Sequence, residues 1–96
     1  MAAYIVVIDT EVSDQEDIEG LSDRLVKVIE AHGGKYLVRG GDIEARGGEL
    51  APARIAISEF ESSDQIRGMF DSAEFGKLRE LRRKSAASSV FIVEGV

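Results

Sequence analysis

The stretch A-H-G-G-K-Y-L-V-R-G-G, residues 31–41, decides how this chain is read. Upstream of it, Ile18, Leu21, Leu25, Val28, Ile29 and His32 recur at helical spacing, while Glu19, Asp23, Lys27 and Glu30 fill the opposite face. Gly33 and Gly34 then predict a helix stop, since glycine accepts the positive φ that ends a helix. Lys35 to Arg39 follows at once as a strand and delivers a basic side chain to a second glycine pair, Gly40-Gly41. One helix, one tight stop and one strand thus occupy a single continuous segment.

On the N-terminal side, Tyr4 to Ile8 is β-branched or aromatic and predicts a strand, with Asp9 to Val12 as its exit. Ser13 and Glu16 have the spacing of a capping box, and Asp14 and Asp17 place negative charge at the positive end of the helix dipole. On the C-terminal side, residues 40–53 hold four glycines and the sole proline, Pro52, and predict a loop or ragged hairpin extension. Arg54 to Phe60 predicts a third strand. Ser62 and Gln65 repeat the capping-box spacing before a short helix carrying Ile66, Met69 and Phe70. Asp71 or Ser72 caps a further helix with Phe75, Leu78 and Leu81, which ends basic at Arg82, Arg83 and Lys84. The segment from Ser85 to Ser89 reads as a link to a last strand, Val90 to Glu94. The order is β-α-β-β-α-β with the second helical region broken in two. It predicts an α+β, ferredoxin-like sandwich on an antiparallel four-stranded sheet, in one domain over residues 1–96.

The strands predict an assembly as well. A strand with one wet face alternates apolar and polar residues. The first strand instead has Tyr4, Val6 and Ile8 on one side and Ile5 and Val7 on the other, and the last has Val90 and Ile92 against Phe91 and Val93. Helices cover one side only. The other is a patch of roughly 300–350 Å², from four strands about 4.8 Å apart and about 17 Å long. Covering it is worth several kcal/mol per subunit at ~25 cal/mol per Å². A homodimer through the open sheet face, with two-fold symmetry, is the expectation.

Composition narrows the function classes. The 96 residues carry a formal net charge of −6, and between positions 9 and 30 eight acids face only Arg24 and Lys27. A nucleic-acid partner is disfavoured; the basic cluster Lys77, Arg79, Arg82, Arg83 and Lys84 lacks the interleaved aromatics of a single-strand binder. With no Cys and one His, the usual zinc sets and disulfide scaffolds are excluded, and no metal and no cofactor are expected. The apolar run Ala2 to Ile8 is too short to span a membrane and lacks a basic leader, so no membrane association and a cytoplasmic location are expected.

Taken together, A-H-G-G-K-Y-L-V-R-G-G (31–41), I-S-E-F (57–60), F-D-S-A-E-F-G-K-L-R-E-L-R (70–82) and I-V-E-G (92–95) resemble the domain of unknown function 1330 family. The resemblance implies the dimeric α/β-barrel superfamily, in which two ferredoxin-like sheets close into a shared barrel. That superfamily includes small monooxygenases, isomerases, cyclases and decarboxylases, beside members without an assigned activity, and the family itself has no established reaction. Leu21, Met69 and Ala73 stand where the family often has a Tyr, an aromatic and a proline. If those aromatics shape a cavity, this one is greasier.

The candidate site residues are few. Arg39 with the backbone of Gly40 and Gly41 suits a carboxylate or phosphate, against the alternative of a surface pair with Asp42 or Glu44. His32, near a helix C-terminus, is a candidate acid or base, against a capping role. Glu59 shares a face with Ile55 and Ile57 and is a candidate base. Its alternative is a cross-strand pair with Lys35, reached if Arg39 falls opposite Ile55. Arg82 and Ser72 complete the set as candidate ligand-binding residues. The topology puts His32 and Glu59 toward one end of the sheet and Arg39 toward the other. The expected function is binding of a small, anionic, apolar-bodied molecule between sheet and helices, with cofactor-free proton transfer or monooxygenase-type chemistry if it is an enzyme. The competing class is a non-catalytic dimeric interaction or sensor module.

Overall fold

The computed structural model of the chain describes residues 2–12, 15–84 and 86–96, and side chains throughout these except at residues 15–19. The order is β1 (Ala3–Val12), α1 (Gln15–Ala31), β2 (Lys35–Arg39), β3 (Arg54–Phe60), α2 (Ser63–Phe70), α3 (Ala73–Arg83) and β4 (Ala86–Glu94). The sheet runs β2-β3-β1-β4 and every pairing is antiparallel. This is the ferredoxin-like α+β arrangement. The Ser13–Glu16 capping box and the place of Ile18 on the buried face lie outside the described residues.

The helix stop at residues 32–34 forms for the reason the glycine pair suggests, with the two glycines in different roles. Gly33 has φ +86. Its N–H donates to Glu30 O at 3.1 Å, and the Gly34 N–H donates to Ile29 O at 2.9 Å. These are the two bonds of a Schellman C-cap, with His32 as the C-cap residue. Gly34 does not have positive φ. It is needed for space: a Cβ there would stand 2.4 Å from Phe60 Cζ and 2.8 Å from Ile29 Cγ2. The α1–β2 corner thus rests on bare backbone against the Phe60 ring.

The second helical region is broken as its caps predict. Ser62 accepts from Gln65 N, and the Gln65 side chain returns to the Ser62 N–H, closing the capping box of α2. Ser72, rather than Asp71, caps α3 by accepting from Phe75 N. The helices lie on one face of the sheet. Leu21, Leu25, Val28 and Ile29 of α1, Ile66 and Met69 of α2, and Phe75 and Leu78 of α3 pack on Ala3, Ile5 and Phe60 in a single core. Leu81, placed on the buried face by its spacing, is exposed. Leu21 and Met69, where the family often has aromatics, both fill this core.

Two strands are longer than propensity predicts. The acidic exit of β1 and the Ser-rich run before Val90 pair with each other, Asp9 with Ser88 and Val12 with Ala86, across a register shift between Asp9 and Glu11. Ladder bonds carry these residues into the sheet despite weak strand propensity. On β2 the register shifts between Tyr36 and Val38. Lys35 faces Glu59, the cross-strand pair that the sequence allows, but because of the shift Arg39 faces Ala56 and not Ile55. That shift turns Arg39 to the helix side.

The face away from the helices carries Tyr4, Val6, Ile8, Val38, Ile55, Ile57, Phe91 and Val93, by the strand registers. Phe91 is 51% exposed and Val93 48%. The molecule is a slab with extents of 31 × 31 × 17 Å. Its thin dimension fits one sheet and one helical layer.

Gly34→Ala should lower stability by about 1–3 kcal/mol, because Phe60 and Ile29 are buried and cannot retreat. The thermal midpoint should fall by about 4–8 °C per kcal/mol, whereas Gly47→Ala, with open space around it, should move it little. An unchanged midpoint for Gly34→Ala would contradict this packing.

Candidate functional site

Between the sheet and the helices, at the end of the core away from Phe60, lies a cavity of about 290 Å³. This is near the lower size for small-molecule sites. It exists because the side chains there are small: Ala56 and Ser58 of β3, Ala86 and Ser88 of β4 and Ser22 of α1 all line it. Ile5, Val7, Leu25, Ile29 and the rings of Phe70 and Phe75 give it an apolar body. The Phe70 and Phe75 centroids are 4.7 Å apart. Four arginines, Arg54, Arg79, Arg82 and Arg83, also line it, together with Tyr36. No acidic side chain among the described residues does. In a chain of net charge −6, the cavity is a local reversal of sign.

Each arginine is held differently. Arg82 reaches back from the last turn of α3, and its Nη2 donates to Asp9 Oδ2 at 2.6 Å. Asp9 is 1% exposed, accepts from Ser88 Oγ at 2.6 Å on its other oxygen, and Arg82 Nη1 donates to Ser88 Oγ at 2.8 Å. These three residues tie α3 to β1 and β4. Removing one member of such a buried pair typically costs about 3–5 kcal/mol, since it strands the other charge. Arg83 pairs with Glu80 at 3.1 Å one turn earlier on the exposed side of α3. Arg79 is exposed and its guanidinium carbon lies 4.9 Å from the Phe70 ring centroid. Arg54, at the start of β3, donates from Nη2 to Ser22 Oγ at 3.0 Å. Its Nε is buried and has no hydrogen-bond partner among the described residues.

Tyr36 stands beside Ser58 on the helix-facing side of β2 and β3. Burial raises its phenol above the ordinary value of 10.0, and the charges of Arg39, Arg82 and Arg54 pull it down by less. The hydroxyl is therefore a neutral donor at physiological pH.

The residues singled out in the sequence do not all meet here. Arg82 lines the cavity. Arg39 adjoins it: its Nε donates to the buried Ser22 Oγ at 3.1 Å, and its Nη2 pairs with Asp23 of α1, not with Asp42 or Glu44. The Gly40 N–H is taken by Ile55 O at 3.0 Å, and Gly41 is exposed with φ +93. Ser72 is occupied as the α3 cap, also donating to Met69 O at 2.6 Å. His32 is half-buried at the C-terminus of α1, and its ring makes no hydrogen bond among the described residues. Glu59 is on the outer sheet face, with Lys35 Nζ 3.5 Å away. Gly33, Lys35, Glu59 and Glu61 line a separate open cleft at the opposite end of the sheet. Periodicity could have found Arg54, which alternates with Ala56 and Ser58 on the helix-facing side of β3. Nothing local signals the Asp9–Arg82 pair, whose members are 73 residues apart.

The family profile described as domain of unknown function (DUF1330) matches residues 2–96. The chain belongs to this family. A search of the curated proteins finds no match. Among solved structures, the chain resembles RPA0582, a protein of unknown function from Rhodopseudomonas palustris, with a TM-score of 0.75 at 14% identity, over 99% of this chain and 82% of that one. It resembles At3g17210 from Arabidopsis thaliana with a TM-score of 0.75 at 13% identity, over 100% and 96% of the two chains. It also resembles SnoaB, a cofactor-independent oxygenase from Streptomyces nogalater, with a TM-score of 0.64 at 9% identity, over 99% and 91%. At these identities the likeness shows a shared fold. No helix among the described residues is long and apolar enough to cross a membrane, and no cluster among them could hold a metal ion.

The raised Tyr36 pKa has a direct consequence. Burial stabilises the protonated form, so the contribution is intact below the ordinary tyrosine range and is lost as pH climbs through the raised value. Alkaline melting curves should fall more steeply for the wild type than for Tyr36→Phe, and the phenolate absorbance lost in the variant should be the late-titrating part. Identical alkaline profiles would contradict the burial of this phenol.

Proposed function

We propose that this DUF1330 protein binds a small, anionic, apolar-bodied molecule in the cavity between sheet and helices, and that it does so as a homodimer. One observation carries the binding reading: arginines gather around an apolar cavity, without an acidic residue among the described lining residues, in an acidic chain. An apolar body with a few placed polar groups is the usual composition of a small-molecule site. The homodimer is supported by the outer sheet face, whose apolar side chains have no covering layer of their own.

A second reading is catalysis on the bound molecule without a cofactor, of the kind named for SnoaB. What supports it is Tyr36, a proton-bearing side chain inside the cavity. His32 and Glu59 stand at the other end of their own subunit, so for either to act as acid or base a partner copy has to bring it to the cavity. Arg39 flanks the cavity in this reading and the first alike, held at Ser22 and matched by Asp23. The non-catalytic interaction module remains the competing class; a ligand-free cavity in a functional dimer would be its mark.

Ala56→Trp tests the binding reading. Ala56 lies on the cavity floor, opposite Val7 and Arg39 on the neighbouring strands. The larger ring should occupy the space, abolish binding of a bicyclic aromatic anion such as 2-naphthoate, and leave the folded state intact by circular dichroism. Undiminished binding in the variant would place the ligand elsewhere.

A further inference from the structure

Resting on the cavity reading above, we infer that the ligand is a monocarboxylate with an apolar body, and that Arg54, with the Tyr36 hydroxyl as a second donor, anchors its carboxylate. The argument is a charge balance over the four cavity arginines. Arg82 is already neutralised by Asp9. Arg83 is matched by Glu80. Arg79 is exposed, so water screens it, and it lies against the Phe70 ring. Arg54 alone is half-buried with no carboxylate partner among the described residues, and its one hydrogen bond among them goes to the neutral Ser22 hydroxyl. A guanidinium is always charged and offers five donors in a planar fork. Holding it partly buried with its Nε unsatisfied is unfavourable unless an acceptor completes it.

The same balance selects the ligand. One unmatched, half-buried cation calls for one negative charge. A phosphate monoester, carrying about −1.5 to −2 at neutral pH, would leave excess negative charge in the cavity. A carboxylate suits the fork geometry. Tyr36 makes no hydrogen bond among the described residues, lines the same cavity, and shares the helix-facing side of the sheet with Arg54. Their strand positions are four residues apart along β3, roughly 13 Å, a span two long side chains can close from both ends. The body of the ligand then lies along Ile5, Val7 and Phe75.

Titration calorimetry at low ionic strength with 2-naphthoate, 2-naphthamide and 2-naphthyl phosphate separates the possibilities. The wild type should bind the carboxylate, and the neutral amide and the phosphate each at least about tenfold more weakly. Arg54→Gln should weaken naphthoate at least about tenfold, Arg54→Lys by less, and Arg67→Gln, outside the cavity and paired with Asp64, by no more than about threefold. Tyr36→Phe should weaken it by an intermediate factor. The thermal midpoint of ligand-free Arg54→Gln should be equal to or above that of the wild type, since an uncompensated cation is removed; a merely structural Arg54 would lower it. Wild-type affinity in Arg54→Gln overturns the anchor, and if Ala56→Trp still abolishes binding the cavity reading survives that failure. Preference for the phosphate overturns the monocarboxylate. Absence of naphthoate binding to the wild type overturns both.

Discussion

Four strands with two apolar faces, and helices enough for one of them, set the terms on which this molecule is built. Covering the first face makes the fold. Leu25, Val28 and Ile29 from α1 and Ile66, Met69, Phe75 and Leu78 from α2 and α3 close over Ala3, Ile5 and Phe60, and few polar groups enter that interior. The second face has Phe91, Val93 and Val38 in solvent. The hydrophobic effect is proportional to area and indifferent to which chain supplies the cover. In the homodimer proposed above, a second copy presenting the same face would supply it by symmetry.

The helical layer does not close evenly. At the Phe60 end, large side chains and the bare backbone of Gly34 bring α1 against the sheet. At the Arg54 end, Ala56, Ser58, Ser22, Ala86 and Ser88 leave space, and polar ties replace packing. Asp9 with Arg82 and Ser88, and Ser22 with Arg39 and Arg54, hold the helices over a gap they do not fill. Core and cavity are thus opposite ends of one layer. The concentration of arginines at the open end follows from chain order. The basic last turn of α3 complements its helix dipole, and the first residue of β3 lies on the same side.

Much of this was legible in the sequence, and the legible part is local. The α1 stop, the Ser62–Gln65 capping box, the break between α2 and α3, the two-faced strands and the Lys35–Glu59 pair each depend on residues within a turn or on strand alternation. The illegible part depends on register and on distant pairing. The shift at residue 37 turns Arg39 toward Ser22. The extension of β1 and β4 buries Asp9 beside Ser88 and sets it against Arg82. Residue type alone points to the sole His and to Glu59, whereas Tyr36 and Arg54 come together only because both face the helices across the sheet.

The uncovered face is the premise on which the assembly rests, and sedimentation velocity at micromolar concentration tests it most directly. The 10.4 kDa chain should sediment as a particle of twice that mass. Phe91→Glu, at the centre of the outer face opposite Val6, should shift it toward the monomer with helix content unchanged. A wild-type particle of single-chain mass, with Phe91 and Val93 open to solvent, would contradict the account.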